Sequence, residues 1–137
     1  MEADRREILD RLIRADELCG LEIGALHRPI IKRNKFNSKG CIYYLDYAPT
    51  SILRENYRNN PTVDIDEIVE VDFVCPHGDL EEAVGCKRFD YVVASHVIEH
   101  VPNPIKFLKQ IYRLLHPGGI LLLVVPDKRF TFDIQRP

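Results

Sequence analysis

The residues best suited to chemistry are concentrated in one polar turn, 95–104, with the sequence SHVIEHVPNP. His96, Glu99 and His100 form an H-x-x-E-H pattern there, which in a class of zinc proteases places two imidazoles on one face of a helix. An apolar strand is predicted to run straight into the turn and two prolines follow, so the helix that such a zinc site needs is not expected. We therefore interpret His96 as the candidate for acid–base chemistry and His100 as a hydrogen-bonded packing residue that fixes the turn.

Two acidic residues are predicted at the ends of other strands. Glu22 precedes Gly24 in the segment LEIG, and Gly24 can adopt a positive φ and let a ligand approach the backbone. This is the usual position of a nucleotide cradle, but a dinucleotide fingerprint would need three glycines, and an ordinary turn with a capping Glu is the alternative. Asp46 follows the strand CIYYL and is placed to accept ribose hydroxyls or to cap the next helix. Tyr47 is predicted either to lie against the ribose or adenine of a bound nucleoside or to be a half-buried packing residue.

The elements that position these residues alternate between strand and helix. An amphipathic helix is predicted over 3–17, and Pro49-Thr50-Ser51 opens another that runs through Tyr57. The apolar runs at 89–94 and 120–125 do not alternate with polar residues, which is typical of strands buried on both faces. Between them lies a helix that Pro117-Gly118-Gly119 is predicted to stop, so this part is a βαβ unit with parallel strands. The other predicted elements are strands at 21–23, 41–45 and 68–74 and a short helix at 80–84.

The composition favours one soluble α/β domain and limits the partners. The chain has 137 residues, 45% hydrophobic and 29% charged, with a net charge of −2. This balance selects neither nucleic acid nor an anionic membrane. A signal peptide is not expected, and no apolar run is long enough to span a bilayer. The scattered cysteines predict reduced thiols in the cytoplasm rather than a zinc ribbon. They are Cys19, Cys41, Cys75 and Cys86.

Four segments in order resemble the class I S-adenosylmethionine-dependent methyltransferases, and in particular a bacterial branch with an LEIG-type first motif. They are LEIGALHRP (21–29), YYLD (43–46), FDYVVASHVIEHVPNP (89–104) and RLLHPGGILLLVVPD (113–127). The resemblance implies a Rossmann-like doubly wound α/β fold with a mostly parallel sheet in the strand order 3-2-1-4-5. It also implies S-adenosylmethionine as cofactor, S-adenosylhomocysteine as its product, and no metal.

The same resemblance implies a role for each matching residue. Glu22 takes the place of the acid near the methionine amino group, and Asp46 that of the ribose-binding acid. Either Asp79 or Asp72 takes the place of the adenine partner, which the sequence does not decide. His96 is the tentative catalytic residue. The full set of implied cofactor-binding residues is Glu22, Ile23, Gly24, Ala25, Asp46, Tyr47, Asp72, Asp79, Ser95 and His96.

Two features depart from the family pattern. Leu26 occupies the position of a second glycine of the first motif, which predicts a wider or less flexible cradle. The chain ends at Pro137, so the last two strands of the family sheet are missing, and residues 1–137 are expected to be a single, incomplete domain. The apolar fifth strand would then lie at an open edge, which a homo-oligomer could cover.

The expected function is methyl transfer to an acceptor that the sequence does not identify, a small molecule or a glycan-type metabolite. Lys128, Arg129, Phe130 and Asp133 are the expected remnant of an acceptor loop. A non-catalytic module that binds the cofactor is one alternative, which Leu26 and the missing strands favour. A nicotinamide-dependent oxidoreductase is another, because it shares the glycine turn and the acid after the second strand.

Overall fold

The structure is a computed structural model and describes residues 11–33 and 39–127. Five strands and three helices lie entirely within these residues, together with two single turns of 3-10 helix at Ile65–Glu67 and Ile98–His100. In chain order the elements are β1 (Cys19–Ile23), β2 (Cys41–Asp46), α1 (Thr50–Tyr57), β3 (Phe73–Val74), α2 (Leu80–Val84), β4 (Phe89–Ser95), α3 (Pro104–Leu114) and β5 (Leu115–Val124).

The five strands form one parallel sheet in the order β3-β2-β1-β4-β5, which confirms the predicted fold. The chain builds outward from β1 to β3 and then crosses back to place β4 on the other side of β1. In a sheet of this kind, the crevice between the loops of the two central strands is where ligands bind. Gly20 faces Tyr91 across this central pair, and a Cβ at Gly20 would lie 2.0 Å from the Tyr91 ring.

The central strand β4 is buried on both faces, as its unbroken apolar sequence predicts. On one face Phe89 and Val92 pack with Ile111 and Leu114 of α3. On the other face the core includes Ile13, Ile42, Tyr44, Tyr91 and Val93.

The third strand is much shorter than the predicted 68–74, since only Phe73–Val74 is a strand. In the segment before Phe73, side chains make several of the hydrogen bonds that a neighbouring strand would otherwise make. The Asp72 carboxylate accepts the backbone N–H of Tyr44 at 2.8 Å, and the Thr50 hydroxyl bonds both the carbonyl of Val69 and the N–H of Val71. The N–H of Asp72 still bonds the carbonyl of Tyr44 at 2.8 Å, so one backbone bond joins this segment to β2 beside the side-chain bonds.

The helix α3 also ends earlier than predicted. It starts with Asn103 as N-cap and ends at Leu114, and Leu115 already pairs with Phe89 in the sheet. The Pro-Gly-Gly segment therefore belongs to β5, where the pairing with β4 shifts register. Gly118 has φ +80°, and a Cβ at Gly119 would lie 2.9 Å from a backbone oxygen, so both glycines are needed for this irregular start.

The prediction of four reduced thiols is wrong, because the structure joins Cys19 and Cys41 in a disulfide. The two residues are direct partners in the β1–β2 register, with Cα atoms 4.5 Å apart. The spacing of the cysteines in the sequence does not indicate this pair, because the register of two parallel strands brings Cys19 and Cys41 together. Cys75 is free and buried, and Cys86 is free and exposed.

The predicted N-terminal helix lies mostly outside the described residues. Residues 11–13 are helical, and Ile13 is buried in the core. Residues 14–17 are not helical, so the helix ends earlier than predicted. None of the helices in the described part of the chain has the length and apolar character to cross a membrane.

Candidate functional site

A cavity of about 650 Å³ opens at the carboxyl ends of β1, β2 and β3. The turn after β4 and the first half of α3 form its other wall. Four of the predicted cofactor residues line it, namely Ile23, Gly24, Asp46 and Tyr47. The rest of the lining consists of Leu45, Cys75, Pro76, His77, Gly78, Leu80, Val97, His100, Val101, Pro102, Asn103, Lys106, Phe107 and Gln110.

The floor of the cavity is the turn after β1. Gly24 has φ +68°, as predicted, and donates its N–H to the carbonyl of Leu45 at 2.9 Å. A Cβ at Gly24 would lie 3.0 Å from the Val97 side chain. A side chain there would be strained by its backbone conformation and would crowd the opposite wall, so the glycine keeps the cavity open.

Glu22 holds the loop that follows this turn. It is 1% exposed, and its two carboxylate oxygens accept the backbone N–H groups of Ile30 and Ile31 at 2.8 and 3.0 Å. It lies beneath the cavity and not in its lining, as does the buried Ala25. Its position thus favours a structural role in shaping the cradle, and its implied role near a methionine amino group stays a prediction.

Leu26 adopts a backbone conformation that favours glycine. Its φ is +50°, in the left-handed region that glycine adopts without strain. Its side chain packs against a small cluster of Ala48, Leu53 and Ile68, and its carbonyl accepts the N–H of Val69. These contacts hold the strained residue, so the leucine keeps the path of the turn.

Asp46 is the acidic residue of the cavity lining. One carboxylate oxygen accepts the N–H of Tyr47 at 2.8 Å, and the described residues give the other oxygen no partner. The alternative role as a helix cap is excluded, since α1 has Pro49 as N-cap without a side-chain bond. Burial raises the pKa of Asp46, an effect that the Tyr47 N–H partly offsets. The carboxylate therefore lines a cavity with one acceptor atom available for a ligand.

Tyr47 is 47% exposed and lines the cavity, so it is half-buried and also within reach of a ligand. Its hydroxyl accepts a hydrogen bond from the amide of Asn56 at 3.2 Å, which fixes the ring. A ring held in this way can serve as a flat apolar wall for a bound ligand.

Neither candidate adenine acid lines the cavity. Asp79 is the N-cap of α2, where its carboxylate accepts the N–H of Glu82 at 3.0 Å. Asp72 lies on the edge of β2, bonded to Tyr44 and to the Arg33 guanidinium. Both carboxylates are engaged in the fold.

Ser95 and His96 lie at the end of β4, beside the cavity but outside its lining. His96 has φ +56°, an uncommon conformation for a non-glycine residue, and donates its N–H to Val124 at 2.8 Å. Its ring nitrogen Nδ1 lies 3.0 Å from the Ser95 hydroxyl. The exposed imidazole is thus oriented by its neighbour with its other nitrogen, Nε2, available.

The prediction that His100 is a packing residue is wrong. Its side chain is 78% exposed and lines the cavity, with Nε2 3.8 Å from the Glu99 carboxylate. The zinc alternative also fails, because the helix there is a single 3-10 turn that begins after His96. Within 11–33 and 39–127, no three His, Cys, Asp or Glu residues are grouped to hold a metal.

The largest group of lining residues that the sequence reasoning missed is on α3. Asn103, Lys106, Phe107 and Gln110 recur at helical spacing and face the cavity, but the same spacing serves equally well for packing. The sequence reasoning also did not assign the loop after β3, Cys75 to Gly78, to the site. The predicted acceptor loop at Lys128 to Asp133 lies outside the described residues.

Comparison with known proteins gives consistent matches. A family model described as a methyltransferase domain matches residues 2–136. The chain is 36% identical over 58 residues to a ubiquinone biosynthesis O-methyltransferase of Parvibaculum lavamentivorans, covering 42% of this chain and 22% of the relative. It is 35% identical over 89 residues to the malonyl-[acyl-carrier protein] O-methyltransferase of Haemophilus ducreyi, covering 65% and 28%.

The same fold is found in solved structures. The trans-methyltransferase CalH in complex with SAH superposes with a TM-score of 0.58 at 23% identity, covering 86% of this chain and 35% of that chain. The chain thus spans less than a third of the length of both curated relatives and about a third of this structure.

Proposed function

Since the chain belongs to the methyltransferase domain family, we propose that it binds S-adenosylmethionine in the cavity beside Asp46 and takes part in transfer of the methyl group to an acceptor. The observation that carries this proposal is the position of Asp46, whose carboxylate has an unused oxygen at the carboxyl end of the second strand. Ribose hydroxyls are donors that such an oxygen would bind.

The residues present fit the cofactor. Gly24 lets a ligand approach the backbone, Asp46 supplies the acceptor, and the apolar walls suit a planar base. The CalH structure contains SAH, the demethylated product, which supports the same ligand for a cavity in the same fold. Glu22 and Ser95 are proposed to act near the methionine part, as the family resemblance implies.

S-adenosylmethionine supplies a methyl group that is already activated on a sulfonium, so the chain needs no nucleophile of its own. Its residues hold the donor and the acceptor in line and exclude water. His96 would accept the proton of a hydroxyl or ammonium acceptor through Nε2, the nitrogen that Ser95 leaves available. The acceptor is proposed to be a small molecule or glycan-type metabolite, and the cytoplasmic location stays a prediction.

The test is calorimetric titration of the chain with S-adenosylhomocysteine, with NADH as the control ligand. We expect micromolar binding of S-adenosylhomocysteine at one site and no binding of NADH. Binding of NADH alone would favour the oxidoreductase. A folded chain that binds neither ligand would refute the proposed function.

A further inference from the structure

Gln110 is a polar residue in the apolar stripe of α3. It is 6% exposed, between the buried Phe107, Ile111 and Leu114. The other buried polar residues, Glu22 and Thr50, have their oxygens bonded to backbone groups. A polar side chain in such a stripe keeps its hydrogen-bonding groups paired or directs them into a cavity.

The orientation of the Gln110 amide is fixed by its partner. Its Oε1 accepts the backbone N–H of Leu80 at 2.6 Å, at the start of α2. Because that partner is a donor, the atom facing it must be the oxygen, and the amide cannot be reversed. The amide nitrogen Nε2, which can only donate, then remains, and no residue of the described chain accepts from it.

The cavity is the place where this donor can be used. Gln110 lines it together with apolar side chains that include Leu45, Leu80 and Phe107. Such walls suit a flat heterocycle, and a donor beside them favours a ring atom that accepts. Asp79 and Asp72, the two candidates for recognising the base, are both engaged in the fold outside this lining.

We infer that Gln110 recognises the adenine of the cofactor, by donating a hydrogen bond from its amide nitrogen to a ring nitrogen of the base. This inference rests on the proposed function. It makes Gln110 a specificity-determining residue, because a purine with a donor at that position would face the amide N–H without an acceptor. It also couples the base to α2, since the same amide holds the N–H of Leu80.

The experiment measures binding of S-adenosylhomocysteine and of its 1-deaza, 3-deaza and 7-deaza analogues, in which one ring nitrogen is a C–H group. On the unmodified chain we expect one analogue to bind about tenfold more weakly, as for the loss of one buried hydrogen bond, and the other two to bind like the parent. Three analogues that all bind like the parent would overturn the inference, and this result needs no variant.

Two variants assign the loss to Gln110. Gln110→Met removes both polar atoms, and Gln110→Glu keeps an oxygen for Leu80 but replaces the donor by an acceptor. Both should bind S-adenosylhomocysteine about tenfold more weakly. In both, the sensitive analogue should bind no worse than the parent, because the bond that it lacks is already absent.

Lys109→Ala, an exposed change on the same helix and outside the cavity lining, is the matched control and should bind as the unmodified chain does. A tenfold analogue loss that persists in a folded Gln110→Met chain would overturn the inference while leaving the proposed function intact. If the unmodified chain does not bind S-adenosylhomocysteine, the proposed function and this inference fail together.

Discussion

Asp46 is the residue whose charge matters most for ligand binding. Asp46→Ala should weaken binding of S-adenosylhomocysteine at least tenfold, since a hydrogen bond to a charged group contributes about 1.5–3 kcal/mol. Burial raises the pKa of this carboxyl, so the folded chain favours the protonated form and this group's contribution to stability declines as pH rises through that pKa. Ligand affinity should change in the opposite direction and fall as pH is lowered through the same range.

Titration calorimetry across acidic pH checks this, together with the melting temperature. Asp46→Asn should lose the pH dependence of affinity and melt no lower than the unmodified chain at neutral pH. Asp66→Asn, an exposed acid outside the cavity, is the control. Unchanged affinity in Asp46→Ala would place the ribose elsewhere.

The positive φ of His96 allows its effect on stability to be tested apart from its proposed role as a base. At φ +56°, glycine is preferred over other residues by about 1 kcal/mol. His96→Gly should therefore be more stable than His96→Ala by about that amount in urea unfolding, whereas both should lose turnover on an identified acceptor. Turnover that persists in both variants would exclude His96 as the base.

At the scale of the elements, the Cys19–Cys41 disulfide ties β1 to β2 across a sequence separation of 22. Denatured without reductant, the chain should show two reactive thiols out of four, and Cys19→Ser should show three. Reduction should lower the free energy of unfolding by about 3 kcal/mol, as expected for a closed loop of this size. Four reactive thiols in the unreduced chain would show that the cysteines are not paired.

The elements also show how far the sequence alone could go. The strands and their succession along the chain were predictable, because runs such as that of β4 are long and apolar. Their order in the sheet followed from the family resemblance. Asp46 and Gly24 were predicted as site residues from their positions at the ends of strands. What failed depended on register or on side-chain bonding. The pairing of Cys19 with Cys41, the short third strand beside Asp72 and the position of Gln110 in the cavity lining could not be predicted. Each depends on which residues are neighbours in the folded structure.

For the whole molecule, the outer edge of β5 is the exposed boundary of the sheet. Within the described residues no strand pairs with it, and Ile120 and Val125 are 42% and 54% exposed. An open apolar edge favours pairing with another copy. We expect the mass measured by sedimentation to rise with concentration, and Ile120→Lys to suppress the rise, whereas Tyr112→Lys on α3 should not. A monomer at all concentrations would contradict this expectation.

The crossover from β3 back to β4 has a consequence for biosynthesis. β1 leaves the ribosome before its neighbour β4, in which the Asp90 carboxylate accepts the N–H of Cys19 across a separation of 71 residues. Pairing over such a separation is slow, because the entropy of the intervening chain must be lost first. Until β4 emerges, one edge of β1 has no strand partner and its apolar side chains are not fully covered. We expect the nascent chain to depend most on chaperones in that interval.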